Sequence, residues 1–423
     1  MGMTAIEKIL ARNSGRDSVK PGDLVMVEVG TAVMYDNNFI PAIWHEVLKV
    51  KDAERIVVVF DHRAPAKDIV SAEAHKTGRG FVKKFGIKRF HDVGANQGIC
   101  HVLVADHGYA LPGTVLVCGD SHTCSAGVFN CAARGTGAPD MFYAITKGET
   151  WFRVGETVRY ELEGQMQPNV SMKDVFLYLA DTYGDHATMN VEYGGSALPS
   201  LSINARRTMS TMSAELSAEF ATFEPDPVML DYVRERNPGV AFEEQYPDGD
   251  AVYVDTRIID LGRIEPLVAL PDTVLNNSRP VGAVAGTKID QAFIGSCANG
   301  TLDDLAAAAE VLAGRQVSPD VRMIITPGSQ TIYRNALKLG YIETLMDAGA
   351  VVTNATCGAC GGGHLGILAA GETCITASTR NFKGRMGSSE ARVFMASPAT
   401  VAASAIRGTI TDPREILAER GAA

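Results

Sequence analysis

An α/β fold built on parallel sheets is the architecture this sequence predicts, and three observations carry it. Short β-branched runs recur between turn residues, at Ile56 to Phe60, Val115 to Cys118, Ala292 to Ile294, Met323 to Thr326, Ala350 to Val352 and Ile375 to Ala377. Their unbroken apolar character is that of strands covered on both faces, as parallel strands are. Several pass through a polar loop into a helical pattern, clearest in TLDDLAAAAEVLAG, where Thr301 and Asp304 have the spacing of a capping box. The third observation is composition: 42 glycines and 46% hydrophobic residues in 423 describe a turn-rich globular chain, not a disordered or fibrous one. In such folds ligands sit beyond the carboxyl ends of the strands.

At ~150 residues per domain the length allows two to four domains. A first α/β domain is expected over 1–155. A second, over 156–280, holds a hairpin-like ETVRYELEG and a helix near Lys173 to Thr182. A third, over 281–423, carries most of the cysteine chemistry and ends in the helical SPATVAASAI. No strong internal repeat and no low-complexity linker is visible. Lys plus Arg (39) minus Asp plus Glu (49) gives −10, which counts against a nucleic-acid surface, so an acidic substrate would need local arginines. No apolar run reaches the ~18 residues of a membrane span, and the start MGMTAIEKILARNSGRD lacks a signal-peptide core. Ile6 stands where a myristoylation motif needs Ser or Thr. Eight cysteines are too sparse for a disulfide framework and fit a reduced, cytoplasmic compartment with a metal or redox site.

The strand ends are where the reactive side chains lie. In order they are Asp61-His62, then Gly119-Asp120-Ser121-His122-Thr123, Gly295-Ser296-Cys297, Pro327-Gly328-Ser329, Thr356-Cys357-Gly358-Ala359-Cys360, and Thr379-Arg380-Asn381-Phe382. Six such loops point to one shared central cleft. Cys357 and Cys360 are spaced C-x-x-C and followed by GGGH, and Cys297 makes a set of two plus one. Three readings fit that set: an iron–sulfur cluster bound through three irons with the fourth open, a closed zinc site completed by His364, or a thiol–disulfide pair. The other cysteines, at 100, 118, 124, 131 and 374, lie in or beside apolar patterns and read as buried small residues.

Asp61 can hold the imidazole of His62 in one tautomer and stabilise its protonated form, as a general acid requires. GDSHT repeats the pairing with the Ser121 hydroxyl between Asp120 and His122, and His101 lies upstream. The competing reading is of separately satisfied polar turn residues, which also serves for His107, His186 and His364. Glu215, on a helical small-residue stretch, reads unaided as a solvated carboxylate. Arg380 and Arg385 bracket Phe382 and Gly384, so a rigid loop could offer two guanidiniums to carboxylates.

Taken in order, VVVFDH, GICHVLVADHGYALPGTVLVCGDSHT, IGSCANG, ITPGSQ, NATCGACGGG, ASTRNFKGRMGS and SPATVAASAI resemble the aconitase family over most of the chain, within it the large subunits of the 3-isopropylmalate dehydratase and homoaconitase group. The resemblance implies a three-domain aconitase-like large subunit, its parallel-rich sheets wrapped by helices around a central cleft. It implies a [4Fe-4S] cluster on Cys297, Cys357 and Cys360, and reversible dehydration of a hydroxy di- or tricarboxylic acid. Asp61, His62, His101, Asp120, His122 and Glu215 would match the catalytic set, and Arg380, Arg385 and Ser121 the substrate contacts. The family's proton-abstracting serine lies in a swivelling domain, in this group a separate small subunit, so a partner chain is implied. Gly387-Ser388-Ser389-Glu390 resembles that serine motif only superficially.

The expected substrate is 3-isopropylmalate, a step of leucine biosynthesis, with a homoaconitase-type or alkyl-substituted malate acid as alternative. A cluster-free metal- or RNA-binding regulatory protein is the competing class, and the acidic balance counts against RNA. Several positions depart from the family pattern. Thr379 and Thr211 stand where asparagine is usual, Ser217 and Ala214 where glycines flank the glutamate, Thr301 where arginine is typical, and Arg63 where an apolar residue is common.

Overall fold

The computed structural model describes residues 2–421. The chain divides into two compact units, Met1–Gly94 with Cys100–Gln165 and His186–Asp260, and Ala95–Ile99 with Met166–Asp185 and Leu261–Ala423. The segment expected as a second domain is therefore shared between the units.

In the first unit a five-stranded parallel sheet runs in the spatial order Arg89–His91, Ile56–Val59, Thr31–Tyr35, Val115–Cys118, Ala132–Gly135. Numbered along the chain this is 3-2-1-4-5, so the connections reverse direction between Thr31–Tyr35 and Val115–Cys118. The second unit repeats the order. Val351–Val352, Arg322–Ile325, Gln291–Ile294, Thr373–Thr376 and Arg392–Ala396 are again 3-2-1-4-5 and parallel, with Leu267–Ala269 and Ser278–Pro280 added antiparallel at one edge. Where such a sheet reverses, the loops at the strand ends splay apart and leave a crevice. The helix Leu302–Leu312 starts at the capping box expected from Thr301 and Asp304, whose side chains each bond the other's backbone N–H. No helix among the described residues is long and apolar enough to cross a membrane.

Two expectations for residues 156–280 are corrected. Thr157–Glu163 is not one arm of a hairpin: it lies inside a four-stranded parallel sheet ordered Ala221–Phe223, Asn190–Gly194, Thr157–Glu163, Asp255–Asp260. A segment expected to hold few turn-bounded strands thus holds a complete small sheet. The polar alternation of TVRYELE mimics a half-solvated strand, but Arg159 is buried, its charge met by Glu161 at 2.8 Å and by Glu224.

Beside this sheet the helix Ile203–Met212 carries two buried arginines with opposite fates. Arg206 is fully satisfied, with a bidentate pair to Asp226 at 2.6 and 2.7 Å and the Leu198 and Leu201 carbonyls as further acceptors. Asp226 also caps the helix Pro227–Arg236. Arg207 is just as deeply buried, yet its Nε and Nη2 have no hydrogen-bond partner. Breaking a buried pair strands a charge, whereas replacing an uncompensated one with an apolar side chain removes a desolvation penalty. Asp226→Ala is expected to lower stability by ~3–5 kcal/mol and Arg207→Met to raise it by ~1 kcal/mol, read from urea unfolding of the two variants against the parent.

Candidate active site

Asp120 follows the strand Val115–Cys118 at the reversal point of the first sheet and caps the turn that begins at Ser121. Three imidazoles converge on its carboxylate. Oδ1 accepts from His101 Nε2 at 2.7 Å and from the His122 backbone N–H at 2.9 Å, with His122 Nδ1 at 3.4 Å, while His62 Nε2 stands 3.5 Å from Oδ2. Burial works to raise its pKa, but the hydrogen bonds from His101, His122 and His62 win and hold it well below 3.8. Asp120 is therefore an anion throughout the physiological range.

The network extends in both directions. Asp61, fully buried at the end of Ile56–Val59, lies 2.7 Å from His62 Nδ1 and accepts the Cys100 N–H at 2.8 Å. Burial again opposes its charge, and the His62 interaction outweighs it, lowering the pKa. On the far side His122 Nε2 meets Glu215 Oε1 at 3.1 Å. Desolvation would discharge His122, yet its bonds to Asp120 and Glu215 dominate and raise its pKa above 6.5. All six residues expected from the sequence to be catalytic thus form one connected hydrogen-bonded set. Glu215 is the correction within it: it sits on the 3-10 turn Ser213–Leu216, 14% exposed, bonded to an imidazole where solvent was expected. Ser121 is exposed at the head of the same turn as His122.

The second unit collects the cysteines and arginines on strand ends of its own sheet. Cys297 lies in the short helix Ser296–Asn299 directly after Gln291–Ile294, next to the reversal point, and Thr379-Arg380 follow Thr373–Thr376 on the other side of it. Cys357 is half-buried and Cys360 buried in the glycine turn after Val351–Val352. Gly358 adopts φ +58°, and a Cβ there would stand 2.5 Å from Thr326 Oγ1; one on Gly362 would meet the Arg385 carbonyl at 2.5 Å. Only glycines let the chain wrap this tightly. The Cys360 sulfur has Thr379 Oγ1 at 3.4 Å and Arg385 Nη2 at 3.7 Å. Burial raises its pKa, and the Arg385 charge and those hydrogen bonds overcome it, bringing the thiol down to about 7. Soft sulfur donors, one held near its thiolate form, in a turn emptied of side chains, fit an iron–sulfur cluster better than an inert buried thiol. Arg380 is half-buried.

Comparison with known proteins agrees with this geometry. The pattern of the aconitase family (aconitate hydratase) matches residues 30–279 and 276–408. The chain belongs to the aconitase family. It is accordingly a hydro-lyase of the aconitase type. Among curated members it is 51% identical to the 3-isopropylmalate dehydratase large subunit of Mycolicibacterium smegmatis, over 99% of both chains. It is 42% identical to the probable 3-isopropylmalate dehydratase large subunit of Methanothermobacter thermautotrophicus, over 98% of this chain and 99% of that one. The same organism's probable methanogen homoaconitase large subunit is also 42% identical, over 98% of both chains.

Against the family pattern, the departing residues have structural employment. Thr301 is a helix cap, Thr379 bonds the Cys360 sulfur, and Arg63 donates Nε–H to Asn37 and its backbone N–H to Asp36. Thr211 is fully buried and its hydroxyl has no partner. Ser217 takes φ +61°, a left-handed conformation that costs a residue with a Cβ about 1 kcal/mol and a glycine nothing.

The raised pKa of His122 has a thermodynamic consequence with a definite sign. Its contribution to stability is complete below 6.5, its ordinary value, and disappears as pH rises through the higher folded value. The stability advantage of the parent over a His122→Asn variant is expected to shrink as pH is raised above 6.5, measured by denaturant unfolding across a pH series.

Proposed function

We propose that this chain is the large subunit of a cytoplasmic 3-isopropylmalate dehydratase, a [4Fe-4S] hydro-lyase that works with a small subunit. The observation that carries the reading is the network from Asp61 through His62, Asp120 and His122 to Glu215, in a chain 51% identical over its full length to a 3-isopropylmalate dehydratase large subunit, against 42% for a homoaconitase one. Eight free cysteines fit a reducing compartment.

Cys297, Cys357 and Cys360 would hold the cluster, which when bound supplies a Lewis-acidic iron without a protein ligand. The chain's own residues do the rest. Dehydration breaks a C–O bond and a neighbouring C–H bond, so it needs an acid at the leaving hydroxyl and a base at the α-carbon. His62 is the acid. Asp61 binds its Nδ1, which fixes the ring and leaves Nε2, the nitrogen that would carry the transferable proton, pointing away from Asp61. Asp120 orients His101 and His122 toward the same oxygen, and Glu215 fixes the His122 ring from its far nitrogen. Arg380 and Arg385 pair with the substrate carboxylates and offset the charge that develops as the α-proton leaves, with Ser121 adding a hydroxyl contact. The base is a serine of the small subunit's swivelling domain.

The test is anaerobic assembly with iron, sulfide and the small subunit, followed by turnover of 3-isopropylmalate and of a homoaconitase-type acid. His62→Asn is expected to lower kcat by ~10²–10⁴-fold while iron content is unchanged. Cys297→Ser is expected to lose iron and activity together. Full iron and sulfide with no turnover of 3-isopropylmalate, alongside turnover of the longer acid, would move the chain to the homoaconitase branch.

A further inference from the structure

Beneath the histidine–carboxylate network lie two thiols that the proposed reaction does not use, beside one histidine that it does. Cys100 opens the helix Cys100–Asp106, and Cys118 closes the strand Val115–Cys118. Their two sulfurs and a ring nitrogen of His101 lie within 4.8 Å of one another, and all three side chains are buried. The sequence reading of Cys100 and Cys118 as inert small residues leaves this convergence unexplained. Two thiols and an imidazole are the donors that cations of the zinc type select, and hard cations such as magnesium avoid.

The surroundings are those of a ligand set held from outside. A carboxylate ordinarily orients a metal-bound histidine, and Asp120 holds the His101 ring through Nε2 at 2.7 Å. Asp61 accepts the Cys100 N–H at 2.8 Å, which fixes the start of the helix that carries the thiol. Three protein ligands leave one position of a tetrahedral ion for an oxygen donor. An entering cation binds thiolates, so it must displace thiol protons to solvent.

We propose that Cys100, His101 and Cys118 form a binding site for a soft divalent cation of the zinc–cadmium type, separate from the iron–sulfur ligands. Occupation ties up His101, which on the proposed function serves the reaction, so a bound ion inhibits the dehydratase while leaving its iron in place. The binding part of the proposal is independent of which acid the enzyme turns over.

The experiment titrates the iron- and sulfide-loaded chain with cadmium ion under anaerobic conditions and follows the ultraviolet thiolate-to-cadmium band, with bound cadmium and retained iron counted in parallel. Expected are one tight equivalent per chain, proton release and no loss of iron. The band and the equivalent should both vanish in Cys100→Ala and in Cys118→Ala variants that keep parental iron content. Should an alanine variant fail to retain its iron, Cys118→Ser, which keeps a hydrogen-bonding group and deletes the soft donor, replaces it and should also lose the ion. Absence of a stoichiometric band in the parent, its survival in the variants, or cadmium uptake matched by iron release would each overturn the proposal.

Discussion

One buried carboxylate organises the chemistry of the first unit. Asp120 is deprived of water and would on that account prefer to be neutral, yet it touches three imidazoles and caps a turn. Each contact that offsets its desolvation also fixes something: a ring orientation for His101, a raised pKa for His122, and a neighbour for His62. A single exposed Asp–His pair would be worth little and would leave the ring free to turn. Here the pairs are coupled, so moving one imidazole disturbs a charge on which the other two depend. Asp61 and Glu215 stand at the two ends of the chain of bonds and stop it from slipping.

Both units solve the placement problem with the same topology. A 3-2-1-4-5 parallel order makes neighbouring loops diverge at one place, and each unit puts reactive groups there: Asp120 and His122 beside the reversal in one, Cys297 and Thr379-Arg380 in the other. Two strands of the first sheet and four of the second were legible in the sequence because covered parallel strands are unbroken apolar runs, whereas Thr31–Tyr35, Arg89–His91, Ala132–Gly135 and Arg392–Ala396 were not read as strands. The repeated order was not legible either. Strand order is decided by which crossover helix packs on which face, and no local residue pattern records that choice.

What escaped the sequence reading escaped for the same reason. Glu215 looks solvated on a small-residue stretch because its partner, His122, is 93 residues away. The middle sheet looked like a hairpin region because its buried arginine and glutamates alternate like surface residues, and only the pairs Arg159 makes with Glu161 and Glu224 turn that polarity into a core. Arg206 and Arg207 are neighbours of one residue type, and nothing local says that the first will find Asp226 while the second will reach only Asn204, at 3.5 Å from Nη1.

The departures from the family pattern bear on how specificity is divided between chains. If Thr301, Thr379 and Arg63 faced substrate directly, each exchange of an amide or guanidinium would leave an unpaired polar group against the acid, at ~1–3 kcal/mol apiece. Instead Thr301 closes a helix, Thr379 serves a sulfur, and Arg63 is turned onto Asn37. Arg63 uses its Nε–H on that amide, so the extra charge beside His62 is tied to the first sheet's own loop. On the proposed function, the residues left for substrate in this chain are Ser121 and the two arginines, which would read carboxylates, a feature common to every acid under consideration. Carboxylate reading alone cannot separate an isopropyl group from a longer acidic arm, because both acids present the same charged ends. Discrimination of the remaining substituent must come from apolar contact, and a pocket completed by a second chain is the economical way for one large subunit design to serve more than one acid.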